Sequence, residues 1–367
     1  MKDHRNGPPR HLTFRVTHRA DPVSEVTEQD TIEAAERYPH IVIRGPVFGF
    51  AEQRREDGPA WRLLNDVSDG FAQHSRDGLN SYLWFKAKDE TRPGDPLREQ
   101  LLAAVARLET EPVNELRVGD TRYRIVRGDE FARIGPDGLE GPRPTDPDDP
   151  VRDLAERRDR EAVSRTRGFV IDHASPTGVM ESIQRMELLP LHYEAKRIPQ
   201  HIRDDSRRAL TTHPGLVLLP ATFTFAERKS TSWEPMATLQ STPQEARATL
   251  YNYLAEFLPK LEQGVSAADA EVYARAAEEY RAGPPADELC VLGRRFRVIR
   301  VERLMRIGPD GPEPPRPTDE DPYGPMQLHP PLAEVEARER QRKPSADPAR
   351  AGEPDAAGAD GEAARGA

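Results

Sequence analysis

One stretch of this sequence occurs twice, and that repetition constrains the possible folds more than any other feature. Residues 115–148 align with residues 288–321 without a gap, and more than half of the aligned positions are identical. Each copy contains the string Arg-Ile-Gly-Pro-Asp-Gly, which begins at Arg133 and at Arg306, followed by Pro-Arg-Pro-Thr-Asp. Self-similarity of this kind is typical of a chain built from copies of one structural unit. We therefore predict a duplicated architecture.

The patterns around the two copies predict an α+β fold. Each of the two tandem units is expected to hold short antiparallel strands or hairpins and two to three helices, with a helical linker between the units. β-Branched and aromatic residues at 41–44 and 47–52 predict two short strands or one bent strand. Leucines at helical spacing predict a helix over 96–108. The residues near Tyr82 fit a helix or a strand, and their helical counterpart at 244–261 favours a helix.

Five segments are predicted along the chain. They are a disordered lead at 1–25, the first α+β repeat at 26–150, a helical linker at 151–204, the second repeat at 205–330, and a charged helix followed by a disordered tail at 331–367. The first repeat is expected to open with a helix at 30–37, and the linker to start with a charged helix at 151–167. Helical spacing also predicts that a helix packs on the fold through Val179, Ile183, Met186 and Leu189.

Composition restricts the functional class. The formal net charge of −10 disfavours a general nucleic-acid-binding surface, because such domains usually carry a basic footprint. Cys290 is the one cysteine in the sequence, so no disulfide framework is expected, and its apolar neighbours predict a buried strand position. No secretory signal and no apolar run of membrane-spanning length is found, which predicts a cytoplasmic protein without membrane contact.

The repeated Gly-Pro-Asp-Gly strings predict hairpin turns. The residues are Gly135, Pro136, Asp137, Gly138, Gly308, Pro309, Asp310 and Gly311. The alternative is that Asp137 and Asp310 face a ligand from paired loops. Acidic residues follow each turn and could hold a hard cation, but neither copy has the spacing of an EF-hand, so no metal is predicted.

Arginines at matching positions of the two copies are the strongest functional signal. They are Arg122, Arg124, Arg127, Arg133 and Arg143, repeated as Arg295, Arg297, Arg300, Arg306 and Arg316. One interpretation is a solvated sheet face with arginines paired to neighbouring acids. The other is a basic stripe that binds an acidic protein or peptide, or an anionic small molecule, because arginine binds carboxylate and phosphate bidentately. We predict these ten as binding residues.

Enzyme signatures are missing from the sequence. Asp172, His173 and Ser175 are residue types used in nucleophilic catalysis, but adjacent residues do not form a triad without placement by the whole fold. The sequence has no nucleophile elbow, zinc-protease motif, phosphate-binding loop or dinucleotide fingerprint. No catalytic residue and no cofactor is predicted.

The doubled element, with the lead-in Tyr-Arg-Ile-Val-Arg or Phe-Arg-Val-Ile-Arg and the string at 44–52, resembles a family of uncharacterised proteins from high-GC actinomycete bacteria. The resemblance covers about residues 30–330 and implies no assigned activity. The favoured hypothesis is a non-enzymatic cytoplasmic binding or scaffold protein. Its contact surface would be the strands that carry these arginines and the Pro-rich segments at 141–144 and 314–317, which we call the straps. The alternative is an enzyme with a cleft between the two repeats, in which Asp172, His173, Asp137 or Asp310 contribute.

Overall fold

A computed structural model describes residues 15–17, 21–148, 164–172, 175–261 and 265–342. Most of the predicted lead, the predicted charged helix up to residue 163, and the tail from residue 343 lie outside these residues. The fold is mixed α+β, as predicted. The described residues up to Met326 form one compact unit, and the described residues from Gln327 belong to a second one.

Several helices start where a side chain binds the first backbone N–H groups. Asp21 and Asp95 each accept such a hydrogen bond, and Thr242 forms a reciprocal capping box with Glu245. A π-helical turn at Tyr253–Phe257 joins α6 to α7. The helices are α1 Pro22–Arg37, α2 Ala72–Glu90, α3 Pro96–Leu108, α4 Val179–Leu188, α5 Gln200–Thr212, α6 Pro243–Asn252, α7 Leu258–Leu261, α8 Ala267–Ala282 and α9 Leu332–Arg342.

The strands form one antiparallel sheet. Along it the order is β6-β2-β1-β4-β11-β8-β9, while β3 and β5 pair with β4, and β7, β10 and β12 pair with β11. The strands are β1 His40–Arg54, β2 Trp61–Leu63, β3 Glu115–Val118, β4 Thr121–Gly135, β5 Gly138–Leu139, β6 Val170–Ile171, β7 Gly215–Leu218, β8 Thr222–Lys229, β9 Ser232–Pro235, β10 Glu288–Val291, β11 Arg294–Gly308 and β12 Gly311–Pro312.

The first half (21–148) and the second half (199–322) pair their strands in the same way. Ala51 of β1 lies opposite Arg124 of β4, and Ala226 of β8 lies opposite Arg297 of β11. On the other side of β1, Ala51 lies opposite Leu63, as Ala226 lies opposite Pro235. Corresponding residues therefore occupy corresponding positions in the two halves.

The halves meet where β4 pairs with β11. The opposed residues are Asp129 with Leu304, Glu130 with Arg303, and Phe131 with Glu302. In the gapless alignment of the doubled stretch, Glu130 corresponds to Arg303. The pairing is therefore centred on these two residues, which places an approximate twofold axis between them.

Helices cover the sheet within each half, and apolar residues join the halves. Leu79 of α2 and Leu101 of α3 are fully buried in the first half, as are Leu250 of α6 and Ala277 of α8 in the second. Two further clusters cross between halves. In one, Met305 and Ile307 pack with Ala51 and Val126; in the other, Ala132 and Ile134 pack with Ala226 and Ile299.

Several sequence predictions are confirmed. Residues 41–44 and 47–52 form the single strand β1, bent at a bulge between Ile43 and Gly45. Gly45 has a φ of 154°, which is accessible to glycine at little cost. The segment around Tyr82 is helical in α2, and α3 and α9 lie where helices were predicted.

Other predictions were wrong. α1 begins at Pro22, because Asp21 supplies its cap, so the last residues of the predicted lead are helical. α5 begins at Gln200, inside the predicted linker, and residues 164–167 form a turn instead of the end of a helix.

The predicted packing face of α4 and the predicted burial of Cys290 were also wrong. Ile183 and Met186 are exposed, while Arg185 and Leu188 are buried. Arg185 is held by Glu181 one turn away, so the spacing of apolar residues alone misidentified the buried face. Cys290 is exposed, because its neighbours in β10 direct their side chains to the core and alternation turns Cys290 outward.

Candidate functional site

The repeated Gly-Pro-Asp-Gly strings lie in hairpins at the ends of β4 and β11. Gly135 pairs with Gly138, and Gly308 pairs with Gly311. Each turn then lies against the opposite half, because Gly311 contacts the indole of Trp61 and Gly138 contacts that of Trp233. The turns therefore connect the halves.

Arg124 and Arg297 bind these crossing turns. Arg124 is 5% exposed and donates to the backbone oxygens of Asp310 and Pro312, while its second terminal nitrogen lies 2.6 Å from the Asp310 carboxylate. Arg297 donates to the backbone oxygen of Leu139 at 2.7 Å. Both guanidinium groups also stack over the tryptophan of their own half.

The Pro-rich segments after the turns also cross. Arg127 binds Asp319 of the second half, and Arg300 binds Asp146 of the first. Two helical arginines continue the exchange, since Arg76 binds Asp321 and Arg247 binds Asp148. Four of the acidic residues that follow the turns, Asp146, Asp148, Asp319 and Asp321, are therefore ion-paired within the fold. Among the described residues no group of three metal-ligating side chains converges.

The remaining predicted arginines bind acids or carbonyl groups of the chain. Arg122 binds Glu115 and Asp310, Arg133 binds Glu187, Arg143 binds Glu140, Arg295 binds Glu288, Arg316 binds Glu313, and Arg306 donates to the backbone oxygens of Leu189 and Leu191. Arg122, Arg143 and Arg316 also approach acids of the opposite half, namely Asp310, Glu302 and Asp129. Arg295 pairs within its own half and stays partly exposed. A partner-binding role for them stays a prediction.

A cavity of about 1240 Å³ lies between the halves, beside the approximate axis. Its walls come from the start of β1, the loop before α2, the segment 192–202, the residues after β9, and residues 318–320. Most of the side chains are apolar, with Phe71, Ile198 and Leu239 among them. The volume exceeds the range of roughly 300–1,000 Å³ that is typical of small-molecule sites.

The corresponding space on the other side of the axis is filled by the chain itself. There, the segment 164–171 runs along β2, and the N–H of Leu63 donates to the backbone oxygen of Phe169. The residue that corresponds to Leu63 is Pro235, which has no N–H and cannot hold such a segment. Pro235 therefore contributes to leaving the cavity open on its side.

Glu130 and Arg303 have different surroundings on the two sides of the axis. On the filled side, Arg303 donates to the backbone oxygens of Asp66 and Pro220 and to the hydroxyl of Thr166. On the open side, Glu130 lines the cavity with a side chain that is 4% exposed. Its ion pair is with Arg44, at 3.0 Å and 53% exposed.

A buried hydrogen-bond network supports the wall next to Glu130. Tyr193 donates to Asp129 at 2.5 Å and accepts from Arg127 at 3.0 Å. Burial would raise the pKa of Asp129, but Arg127 and Arg316 together lower it. Burial raises the pKa of Tyr193, so the phenol keeps its proton at neutral pH. The network fixes Tyr193 as a neutral side chain of the cavity wall.

The residues named for an enzymatic alternative lie elsewhere. Asp137 pairs with Arg37, Asp310 pairs with Arg122 and Arg124, and Asp172 accepts from Ser175. His173 lies outside the described residues. In the part of the chain that the structure describes, none of these acids lines the cavity.

Arg44, Glu130 and Tyr193 were missed in the sequence. A signal was present for Glu130, because its counterpart in the alignment is Arg303, a reversal of charge within two similar segments. Arg44 likewise corresponds to Leu219, which is buried in the core. The positions at which the two copies have different residues therefore carried the sequence signal for the asymmetric cavity.

Comparison with known proteins identifies the family. Neither the curated proteins nor the solved structures give a significant match to the chain. No described helix combines the length and the apolar character needed to cross a bilayer. The sequence pattern of a family of unknown function (DUF5954) matches residues 21–322, which include both halves and every wall of the cavity. The chain belongs to this family of unknown function.

Proposed function

We propose that this chain is a non-enzymatic cytoplasmic binding protein, built from two copies of one unit, whose ligand occupies the cavity between the halves. The observation that carries the proposal is the asymmetry of the two sides. The chain fills one side with the segment 164–171, whereas Pro235 and the residues after it border open space on the other.

The walls are suited to binding an amphipathic molecule. Apolar surface gains free energy when it leaves water, at about 25 cal/mol per Å². Phe71, Ile198 and Leu239 offer such surface to a ligand, and Arg44, Glu130 and Tyr193 supply polar contacts that can orient it. Mostly apolar walls with a few convergent polar groups are the usual character of a small-molecule site.

The internal arginine contacts support a binding role for the cavity in place of a scaffold role for the strands. The crossing contacts of Arg124, Arg127, Arg297 and Arg300 hold the halves together and so maintain the cavity walls. An enzymatic role has less support, because the acids proposed for it are paired outside the cavity.

Fluorescence titration with Nile red, a neutral dye that emits in apolar surroundings, tests the proposal. We expect saturable binding to the wild-type protein. Ser68→Trp and Thr238→Trp place an indole at exposed positions of the cavity wall and should each weaken binding by about tenfold or more. Ala274→Trp, on the exposed side of α8, is the matched control and should bind as the wild type does.

The unfolding midpoint of each variant separates a blocked cavity from a damaged fold. Absence of dye binding to the wild type would contradict the proposal. Equal binding by the wild type and both cavity variants would also contradict it, because the dye would then occupy another surface.

A further inference from the structure

The charge inside the cavity indicates what kind of ligand it takes. On the filled side, the guanidinium of Arg303 is enclosed by acceptors: the backbone oxygens of Asp66, Val67 and Pro220 and the hydroxyl of Thr166. A cation thus occupies the place between the loop that follows β2, the start of β8 and the segment 164–171.

The open side keeps the corresponding backbone positions but lacks the cation. Gly45 corresponds to Pro220. The segment 237–239 follows β9 in the same way that Asp66 and Val67 follow β2. Gly45 and the segment 237–239 line the cavity. At the position of Arg303 stands Glu130, which accepts and cannot donate when ionised. The cavity therefore has a hydrogen-bond acceptor, Glu130, at the position where the filled side has the donor Arg303.

Glu130 has acceptor capacity that the described chain does not use. Its Oε1 atom accepts from one terminal nitrogen of Arg44 at 3.0 Å, and Oε2 accepts from no described residue. An ionised carboxylate has about four lone-pair sites. The Glu130 side chain is 4% exposed with Arg44 paired to it, so a ligand in the cavity reaches those sites when Arg44 moves aside.

Arg44 is a replaceable partner for this carboxylate. Its side chain is 53% exposed, and its one contact with the described chain is the ion pair with Glu130. Because the guanidinium of Arg44 is largely exposed, a second cation that pairs with the buried carboxylate can displace it into solvent. Arg303, by contrast, is completely buried and makes contacts on several sides.

Other charges along the walls favour a cation as well. Glu194 and Glu320 are exposed wall residues, and Asp319 is paired with Arg127. Arg197 is the basic wall residue besides Arg44, and His192 lies 3.2 Å from Glu194. Acidic side chains outnumber arginines among the walls, which raises the local concentration of cationic ligands.

We infer that the cavity takes a ligand with an apolar body and an amine or guanidinium head group, which binds Glu130 in the place of Arg44. This inference rests on the proposed function and specifies its ligand class. It differs from the anionic partner expected from the arginine pattern, because those arginines bind acids and carbonyl groups of the chain itself.

Competition against bound Nile red at pH 7 tests the head group with three compounds of equal chain length: n-octylamine, n-octanol and n-octanoate. We expect octylamine to displace the dye at a concentration about tenfold lower than octanol, and octanoate to be the weakest. A factor of ten corresponds to about 1.4 kcal/mol, which is close to the low end for a hydrogen bond to a charged group.

Two substitutions should act in opposite directions. Glu130→Gln should remove the preference for the amine over the alcohol, and Arg44→Ala should increase it by exposing the carboxylate. Glu271→Gln, which removes an exposed acid of α8 outside the cavity, is the matched control and should leave the preference unchanged. If Glu130→Gln does not fold, Arg44→Ala still decides the matter.

The inference is overturned if amine and alcohol compete equally, if octanoate competes best, or if Arg44→Ala weakens amine binding. In each of those cases Nile red still binds and the proposed function stands. If Nile red does not bind the wild type, the proposed function itself fails.

Discussion

Glu130 and Arg303 lie opposite each other where β4 pairs with β11, and they occupy corresponding positions of the two halves. An approximate twofold axis therefore passes between a carboxylate and a guanidinium. Opposite charges at equivalent positions require different surroundings, and the structure supplies them: a filled side around Arg303 and an open cavity over Glu130.

Arg303→Met should destabilise the protein severely. Burial lowers the pKa of Arg303 to about 10, so the group remains charged at neutral pH. Its removal would leave buried acceptors at Asp66, Pro220 and Thr166 without their donor, and Glu130 would lose the neighbouring positive charge. We expect a loss of about 3–5 kcal/mol in the free energy of unfolding, measured by denaturant titration.

Arg44→Met is the comparison for that experiment, since it removes the exposed partner of Glu130. It should cost about 1–3 kcal/mol, because Glu130 stays buried but keeps Arg303 as a positive neighbour. Similar losses for the two variants would mean that the contacts around Arg303 do not support the interface between the halves.

Arg124→Met should cost more than Arg295→Met, although both arginines belong to the doubled stretch. The guanidinium of Arg124 is buried and binds Glu115, the Asp310 carboxylate and two backbone oxygens of the crossing turn. The side chain of Arg295 is 46% exposed and its ion pair is with Glu288.

From these contacts we expect a loss of about 2–4 kcal/mol for Arg124→Met and below about 1 kcal/mol for Arg295→Met. Thermal and denaturant unfolding of the two variants give the comparison. Equal losses would argue that the crossing contacts of Arg124 add nothing to stability.

The sequence predicted the local structure well because local structure depends on nearby residues. Spacing of apolar residues located α3, and the comparison of the two copies resolved α2 in favour of a helix. The α+β class followed from those elements. Errors arose at helix starts and at α4, where Arg185 is buried through an ion pair that hydrophobic spacing does not register.

The exchange of turns between halves could not be predicted from the repeated sequence. Asp137 and Asp310 are followed and preceded by the same residues, so the pattern is identical whether Arg124 binds the turn of its own half or that of the other. The structure shows that it binds Asp310. The choice depends on the pairing of β4 with β11, which is a long-range contact.

The cavity had a weaker sequence signal, distributed over positions where the copies differ. Pro235 stands where the first half has Leu63, and Arg44 stands where the second half has Leu219. Each difference is an ordinary substitution in isolation. They acquire a common meaning only when the fold places them around one axis.

Asp310→Asn should show a loss of stability that depends on pH. Hydrogen bonds from Arg122 are the main cause of a lowered pKa for Asp310; burial opposes them, and Arg124 lowers the pKa further. A carboxylate with a lowered pKa in the folded state stabilises the fold above its ordinary pKa of about 4. That stabilisation is lost as the pH falls through the lower pKa of the folded state.

The difference in unfolding free energy between wild type and Asp310→Asn should therefore be largest near pH 7 and shrink towards about pH 3. Because the Asp310 side chain is 72% exposed, we expect at most about 1 kcal/mol at neutral pH. Asp137→Asn, whose carboxylate meets the exposed Arg37, should cost less. A difference that grows on acidification would contradict this assignment.

Gly311→Ala should be a strongly damaging single-methyl change in the crossing turns. Gly311 has a φ of 113°, and an added Cβ atom would collide with the indole of Trp61 in the other half. Backbone strain of about 1–3 kcal/mol and overpacking of about 1–3 kcal/mol both act there.

Gly58→Ala separates the two causes, because Gly58 has a φ of 60° but open space around it. It should cost about 1–2 kcal/mol, the strain alone. The indole of Trp61 reports the collision directly, so its fluorescence should shift in Gly311→Ala and stay unchanged in Gly58→Ala. An unshifted spectrum with a small loss of stability for Gly311→Ala would show that the turn does not pack on the opposite half.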